Sequence, residues 1–264
     1  MDAASYDVAV IDSTGDFMQD MHQHYNYLLV GLSYLVAVLG SFTALQFALG
    51  IPSARSPGQR WGAILAAGTA MGGGAIWAMH FVAMLACSMG AQATYDVVLT
   101  AISALLAVVV CSLGLAIAGS GVARWPHLLG AGSLMGLGVA GMHYLGMMAM
   151  LISAKVTYDA RLVALSVAIA IVASVAALWL AFNLRGKLQM LGSALVMGVA
   201  VCGMHYTGMV AMTFNQSGIL PAGFDQGVRG DHLGGVVAAI VMILLVLALG
   251  LSIVRQYRRS VLSI

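Results

Sequence analysis

The stretch Gly203-Met204-His205-Tyr206-Thr207-Gly208-Met209 decides how this chain is read, because it has two further copies upstream. These copies are Ala78-Met79-His80-Phe81-Val82-Ala83-Met84 and Gly141-Met142-His143-Tyr144-Leu145-Gly146-Met147. Each copy lies in an apolar stretch, where an ionisable side chain is costly and therefore rare without a functional or pairing reason. The three histidines are 63 and 62 residues apart, and their matched positions predict one shared site.

The composition places this repeat in a membrane. Of 264 residues, 61% are apolar and 8% are charged, which excludes the soluble classes. Seven uncharged stretches are long enough to cross a bilayer as helices. They are Leu28 to Leu49, Trp61 to Met89, Val97 to Gly119, Leu128 to Ala154, Leu162 to Phe182, Leu188 to Phe214 and Leu233 to Val254. The expected fold is an all-α integral membrane protein with seven transmembrane helices: one leading helix, then three parallel two-helix repeats.

Each repeat pairs a motif helix, which carries a histidine, with a plain helix. Because every copy contains two crossings, all three enter the membrane in the same direction, and the histidines are expected at one depth near the outer face. The motif helices are rich in glycine upstream of the histidines, and small residues let membrane helices approach closely. We therefore expect the three motif helices to pack against one another.

The charged residues predict the orientation. Eight of the eleven basic residues fall on one side, which the positive-inside rule makes cytoplasmic, and all nine acidic residues are aspartates on the other side. The expected organisation is an acidic extracytoplasmic tail (1–26), the seven-helix domain (27–254) and a short basic cytoplasmic tail (255–264). No basic stripe or recognition motif indicates nucleic-acid binding.

Helical spacing selects the side chains that share a face with each histidine. Positions four and seven residues further on carry sulfur in every copy: Met84, Cys87, Met147, Met150, Met209 and Met212. Imidazole with thioether or thiol is a borderline-to-soft ligand set, which suits copper better than calcium, magnesium or manganese. The alternative is that these methionines simply fill gaps in an apolar core.

Other polar residues flank the repeat. Asp96 and Asp159 each follow their histidine by 16 residues, and Asp225 follows His205 by 20. Such an aspartate can cap the next helix, or it can orient a metal-bound imidazole. His22 and His24, just before the first helix, are further candidate ligands on the outer side.

The triple Met-His-Phe/Tyr motif, closed by methionine four residues after each histidine, resembles the MHYT domain of bacterial membrane sensors. The segment His24-Tyr25-Asn26 also resembles that family's opening helix. The resemblance implies an inner-membrane sensor that binds one or two copper ions through His and Met and responds to O2, CO or NO. Two departures are Phe81, which lacks the tyrosine hydroxyl, and the presence of threonine only at Thr207. The positions implied as metal ligands are His80, His143, His205, Met84, Met147, Met209, Met79, Met142 and Met204, with His24 in addition.

Two other functions stay open. Met and His on the outer side would also serve a copper carrier or storage protein, although the inner halves of the helices offer Cys111 and no comparable His or Met cluster. Haem with histidine ligands is a third hypothesis. An enzyme is not expected, because no nucleophile is paired with a base and no phosphate-binding loop is present. The expected partners are the metal ion, a diatomic gas, the lipid bilayer, and a signalling protein in the cytoplasm or membrane or a second copy of the chain.

Overall fold

The structure, a computed structural model, describes residues 24–88, 92–120, 125–183, 186–216 and 219–261. Most of the predicted acidic tail, including His22, lies outside these ranges. Seven helices follow one another: α1 (Tyr27–Ala48), α2 (Pro57–Ala86), α3 (Val97–Ala118), α4 (Trp125–Met148), α5 (Ala160–Asn183), α6 (Lys187–Val210) and α7 (Gly230–Val261). The first six are long and apolar enough to span a membrane, and α7 contains the apolar stretch His232–Leu247. The predicted all-α membrane fold is confirmed.

The middle of α2 is not an α-helix. Residues Thr69–Ala78 form a π-helical segment between the α-helical parts Pro57–Gly68 and Met79–Ala86. A π-helix closes its hydrogen bonds over five residues instead of four, so this segment holds more residues per turn than the matching parts of α4 and α6.

The plain helices, α1, α3 and α5, alternate with the motif helices, α2, α4 and α6, in a ring. Helix α1 contacts α2 and α6, α3 contacts α2 and α4, and α5 contacts α4 and α6. Helix α7 packs outside this ring, against α1 and α2. Along the chain there is one leading helix and three two-helix repeats, as predicted; in space, α1 takes the position equivalent to α3 and α5.

One backbone hydrogen bond, repeated three times, defines this approximate threefold arrangement. The amides of Asn26, Asp96 and Asp159 each donate to a carbonyl at 2.8 Å, and the acceptors are Ala86, Ala149 and Ala211 in that order. Each donor is the residue before a plain helix, and each acceptor lies six residues after a histidine. Every plain helix is therefore joined to a motif helix at the same height.

Short strands, which the sequence analysis did not predict, cover one end of the bundle. They are β1 (His24–Tyr25), β2 (Cys87–Ser88), β3 (Ala93–Tyr95), β4 (Met150–Ile152), β5 (Ala154–Tyr158), β6 (Met212–Gln216) and β7 (Val228–Arg229). All pairings are antiparallel: β1 with β2, β3 with both β4 and β7, and β5 with β6. We call this the strand end. Asp96 and Asp159 lie there, whereas Arg60 lies at the opposite end, donating to the Ala116 and Gly119 carbonyls of α3.

Helix α2 contacts both α4 and α6, as predicted for the motif helices, but the glycines upstream of the histidines do not mediate these contacts. A side chain at Gly72 would strike the Ala107 backbone of α3, and one at Gly136 would lie 2.5 Å from the Ile171 Cα of α5. Gly198 in the same way faces Val38 of α1. The small residues allow close contact between motif and plain helices, since each motif helix lies between two plain ones.

Candidate metal centre

His80, His143 and His205 meet at the centre of the bundle, five or six residues before the ends of their helices, and each is at most 1% exposed. His80 Nδ1 lies 3.0 Å from His205 Nδ1 and 3.2 Å from His143 Nδ1. The three rings stand nearly perpendicular to one another, with centroids 4.9–5.0 Å apart. The structure therefore brings the three repeated histidines together at one point, as the sequence predicts, and we call them the histidine triad.

Hydrogen bonding among the rings does not satisfy the inward nitrogens. A neutral imidazole Nδ1 carries either one proton or one lone pair. His80 Nδ1 therefore makes at most one full hydrogen bond, although two Nδ1 atoms lie within reach of it. A cation at the centre would take a lone pair from all three nitrogens.

The spacing of the triad fits a small metal ion. Three nitrogens bound at 2.0–2.1 Å to one ion are separated by about 3.3–3.6 Å in trigonal or tetrahedral geometry. The observed separations of 3.0 and 3.2 Å are a few tenths of an ångström shorter. The triad could thus hold an ion after a small outward shift of the rings.

The outward nitrogens face the next repeat. A side chain at Gly146 would contact His80 Nε2, and one at Gly208 would contact His143 Nε2. These glycines are three residues after the histidines of their own copies, so each leaves room for the imidazole of the preceding copy. All three Nε2 atoms are buried without a hydrogen-bond partner among the described residues. The usual acceptor behind a metal-bound imidazole is therefore absent from that part of the chain.

In the second and third copies, the tyrosine after the histidine links the motif helix to a plain helix. Tyr144 Oη lies 2.5 Å from Ser166 Oγ of α5, and Tyr206 Oη lies 3.2 Å from Ser33 Oγ of α1. Each serine already donates its single proton to the carbonyl three residues earlier. The tyrosine is therefore the donor in both pairs.

The first copy has Phe81 at this position and achieves the same link differently. Trp77, one turn before Phe81, donates from its indole Nε1 to Ser103 Oγ of α3 at 3.0 Å. Ser103 in turn donates to the Thr100 carbonyl, as its two counterparts do to theirs. Trp77 also packs on Phe81, and Phe81 packs on His80. The sequence motif reveals the missing hydroxyl at Phe81 but not its replacement, because Trp77 lies outside the motif.

The predicted sulfur ligands are all buried, in two groups. The six sulfur side chains that follow the histidines share one buried cluster with Met79: Met84, Cys87, Met147, Met150, Met209 and Met212. Met142 and Met204 pack in the other cluster, further from the strand end. His24 lies in β1, where its backbone pairs with Ser88. Whether the methionines or His24 bind a metal stays a prediction.

The aspartates act as helix caps. Asp96 Oδ1 accepts from the Leu99 amide at 2.8 Å, and Asp159 Oδ1 accepts from the Arg161 and Leu162 amides at 2.8 and 3.2 Å. Asp225 lies in a short 3-10 turn, Phe224–Gln226. Of the two predicted roles, capping is therefore the one that the contacts support for Asp96 and Asp159.

The strand end covers the triad but leaves an opening beside it. Strand residues such as Tyr95 and Phe214 are packed in the cluster around Met84. Burial raises the pKa of Tyr95 and of Tyr25 above the ordinary range, so both phenols are neutral at physiological pH. A cavity of about 200 Å³, lined by Phe81, Met84, Cys87 and Tyr95 among others, reaches from this end to the neighbours of His80.

A known protein family matches the three repeats that carry the triad. The family model MHYT, described as a bacterial signalling protein N-terminal repeat, matches three times, at residues 73–131, 136–194 and 198–264. Each match contains one histidine of the triad. No solved structure matches the chain.

Several curated bacterial proteins are similar over most of this chain. The bifunctional diguanylate cyclase/cyclic di-GMP phosphodiesterase MucR of Pseudomonas aeruginosa is 40% identical over 90% of the chain and 36% of MucR. The cyclic di-GMP phosphodiesterase NbdA of the same organism is 38% identical over 82% of the chain and 28% of NbdA. The signaling protein YkoW of Bacillus subtilis is 30% identical over 84% of the chain and 28% of YkoW. The chain thus spans about a third of the length of these relatives.

Proposed function

This chain belongs to the MHYT family of bacterial signalling proteins, and on that premise we propose that it is a copper-dependent sensor of a diatomic gas or of redox state in the bacterial inner membrane. The observation that carries the proposal is the convergence of three Nδ1 atoms from three repeats on one buried point. His80, His143 and His205 would hold the ion, with Met84, Met147 and Met209 one turn further towards the strand end. A bound copper ion would supply a redox-active centre and a ligand position for O2, CO or NO.

The choice of copper rests on charge as well as on ligand type. The spans that surround the triad contain no Asp or Glu, so an ion there is surrounded by neutral ligands. Burying an uncompensated charge is expensive, which favours a monovalent ion over a divalent one. Imidazole and thioether ligands favour Cu(I) among the biological metals.

A sensor must convert binding into a change of shape, which requires a ligand that binds two conformations unequally. The Tyr144–Ser166, Tyr206–Ser33 and Trp77–Ser103 bonds supply a mechanical link, since each joins the immediate neighbourhood of a histidine to a plain helix. Movement of an imidazole would be passed through these bonds to the plain helices α1, α3 and α5. The recipient would be a signalling partner or a second copy of the chain, and the role is not enzymatic.

The orientation of the site follows from charge. In the sequence, eight of the eleven basic residues fall on the same side as Arg60, which lies opposite the strands, so by the positive-inside rule the strand end would lie outside the cytoplasm. The triad would then face the extracytoplasmic side, from which both metal and gas can arrive through the cavity beside Met84.

Copper content and gas response test the proposal on the purified chain. His143→Ala should lower copper affinity by more than the 10–100-fold that loss of an outer-shell partner typically costs, because a ligand itself is removed. His127→Ala is the matched control, since His127 is exposed on the same helix. Reduced, copper-loaded protein should change its infrared or optical spectrum with at least one of CO, NO and O2, and move no net copper across sealed vesicles. Copper accumulation that depends on His143, with no response to any gas, would favour a carrier instead.

A further inference from the structure

Deeper in the bundle, each motif helix contributes one methionine to a common cavity. Met71 of α2, Met135 of α4 and Met197 of α6 are buried, at 4, 2 and 4% exposure. All three line a cavity of about 30 Å³, together with Met204, Ser174 of α5 and apolar residues of the motif helices and α5. That volume is enough for one water-sized particle. We call Met71, Met135 and Met197 the methionine layer.

The three positions are equivalent once the π-helical segment is taken into account. Met135 and Met197 lie eight residues before their histidines, whereas Met71 lies nine before His80. The π-helical segment Thr69–Ala78 contains Met71 and most of the chain between Met71 and His80, and it has more residues per turn than an α-helix. It therefore compensates for the additional residue and brings Met71 to the cavity that the other two reach.

The chemistry of this cavity suits a soft monovalent cation. Thioether sulfur binds Cu(I) well and hard divalent ions poorly. No Asp, Glu, Lys or Arg occurs in α4 or in the part of α6 after Lys187, so a divalent ion would remain uncompensated. Methionine commonly fills irregular gaps in a core. Here three symmetry-related methionines leave a gap open between them.

We infer that the methionine layer is a second binding site for a soft monovalent ion, Cu(I) in the cell, separate from the histidine triad. At 1.5 Å per residue, eight residues place it about 12 Å further from the strand end than the triad. Met71, Met135 and Met197 lie near the middle of their helices, where the sequence alone did not indicate a methionine cluster. Two sites in line along the bundle would let the protein hold more than one ion.

One of the three ligands must turn to complete the site. Met135 Sδ lies against Gly114 of α3, where a side chain at position 114 would be only 2.9 Å away. The same side chain lines the cavity, and a methionine has three rotatable torsions. The proposed site requires rotation about these torsions to turn the sulfur inward, with α4 left in place.

Cu(I) titration of the reduced, full-length chain against a chromogenic Cu(I) chelator, without oxygen, tests the inference. The unmodified chain should bind two Cu(I). Met197→Leu should lose one of them, while Met190→Leu keeps both. Met190 and Met197 are a matched pair: both are buried on α6, seven residues apart on one face, and only Met197 lines the cavity. Leucine is close to methionine in volume, so the packing cost is small.

A second variant distinguishes Cu(I) bound at the triad from Cu(I) bound at the methionine layer. In selenomethionine-labelled His143→Ala protein, one Cu(I) should remain and show copper–selenium scattering in X-ray absorption; adding Met197→Leu should remove that ion. A single Cu(I) in the unmodified chain that His143→Ala abolishes, or two Cu(I) retained by Met197→Leu, would overturn the inference and leave the triad intact. A single Cu(I) that depends on Met197 and not on His143 would support the methionine layer and refute the proposed function.

Discussion

Gly208→Ala should damage the triad from a neighbouring helix without removing a ligand. A Cβ atom at Gly208 would be closer to His143 Nε2 than side chains ever approach, and would lie 3.0 Å from Cδ2 and 3.2 Å from Cε1 of the same ring. Because the ring is completely buried, it can yield only towards the other two histidines or by pushing α6 away.

The magnitude follows from two opposing terms. Forcing a methyl group into a packed core typically costs about 1–3 kcal/mol. Replacing glycine by alanine inside a helix contributes about 0.5–1 kcal/mol in the favourable direction. The net loss of stability is about 1 kcal/mol, within a range of roughly 0–2.5 kcal/mol. Relief of the overlap also requires a ring shift of roughly 1 Å, which would disturb the 3.2 Å separation between the Nδ1 atoms of His143 and His80.

The assay compares Gly208→Ala with Gly203→Ala on the same helix. Among the described residues, no atom outside the adjacent residues and local backbone of α6 lies within 4 Å of a Cβ built at Gly203, so that variant carries the helical benefit without the overlap. Gly208→Ala should melt several degrees lower in detergent and bind Cu(I) at least tenfold more weakly, whereas Gly203→Ala should melt at or above the unmodified chain and bind Cu(I) normally. Unchanged copper affinity in Gly208→Ala, in a folded protein, would refute the view that the triad depends on this contact.

Two further predictions concern the first repeat and the orientation. Trp77→Phe should lower both the melting temperature and the copper affinity, because it removes the hydrogen bond to Ser103. Adding Phe81→Tyr should restore both, because a tyrosine at this position bonds the equivalent serine in the second repeat. Failure of this rescue would show that Trp77 acts through its bulk alone. Reporter fusions after Arg259 should behave as cytoplasmic, because the basic residues gather at the end opposite the strands, and periplasmic activity at this position would reverse the predicted side of the site.

The helices, their repeats and the histidines of the triad could be predicted from the sequence. The 3.6-residue period and the length of the apolar stretches predict the helices, and the even spacing of His80, His143 and His205 predicts parallel repeats with one common depth. The same period correctly groups Met84, Met147 and Met209 in one buried cluster. The position of Asp96 and Asp159 just before apolar stretches also permits them as helix caps, which the structure bears out.

Only the tertiary structure shows which helix packs against each face of a motif helix. Gly72 and Gly136 pack on plain helices rather than on motif helices, and Gly146 and Gly208 receive the histidine of the preceding repeat. Helical periodicity specifies which residues share a face of one helix, but not which helix approaches that face, because that choice depends on packing between distant parts of the chain. Met71 shows the second limit: its π-helical segment departs from the period on which the sequence argument rests, so its equivalence to Met135 and Met197 emerges only in three dimensions.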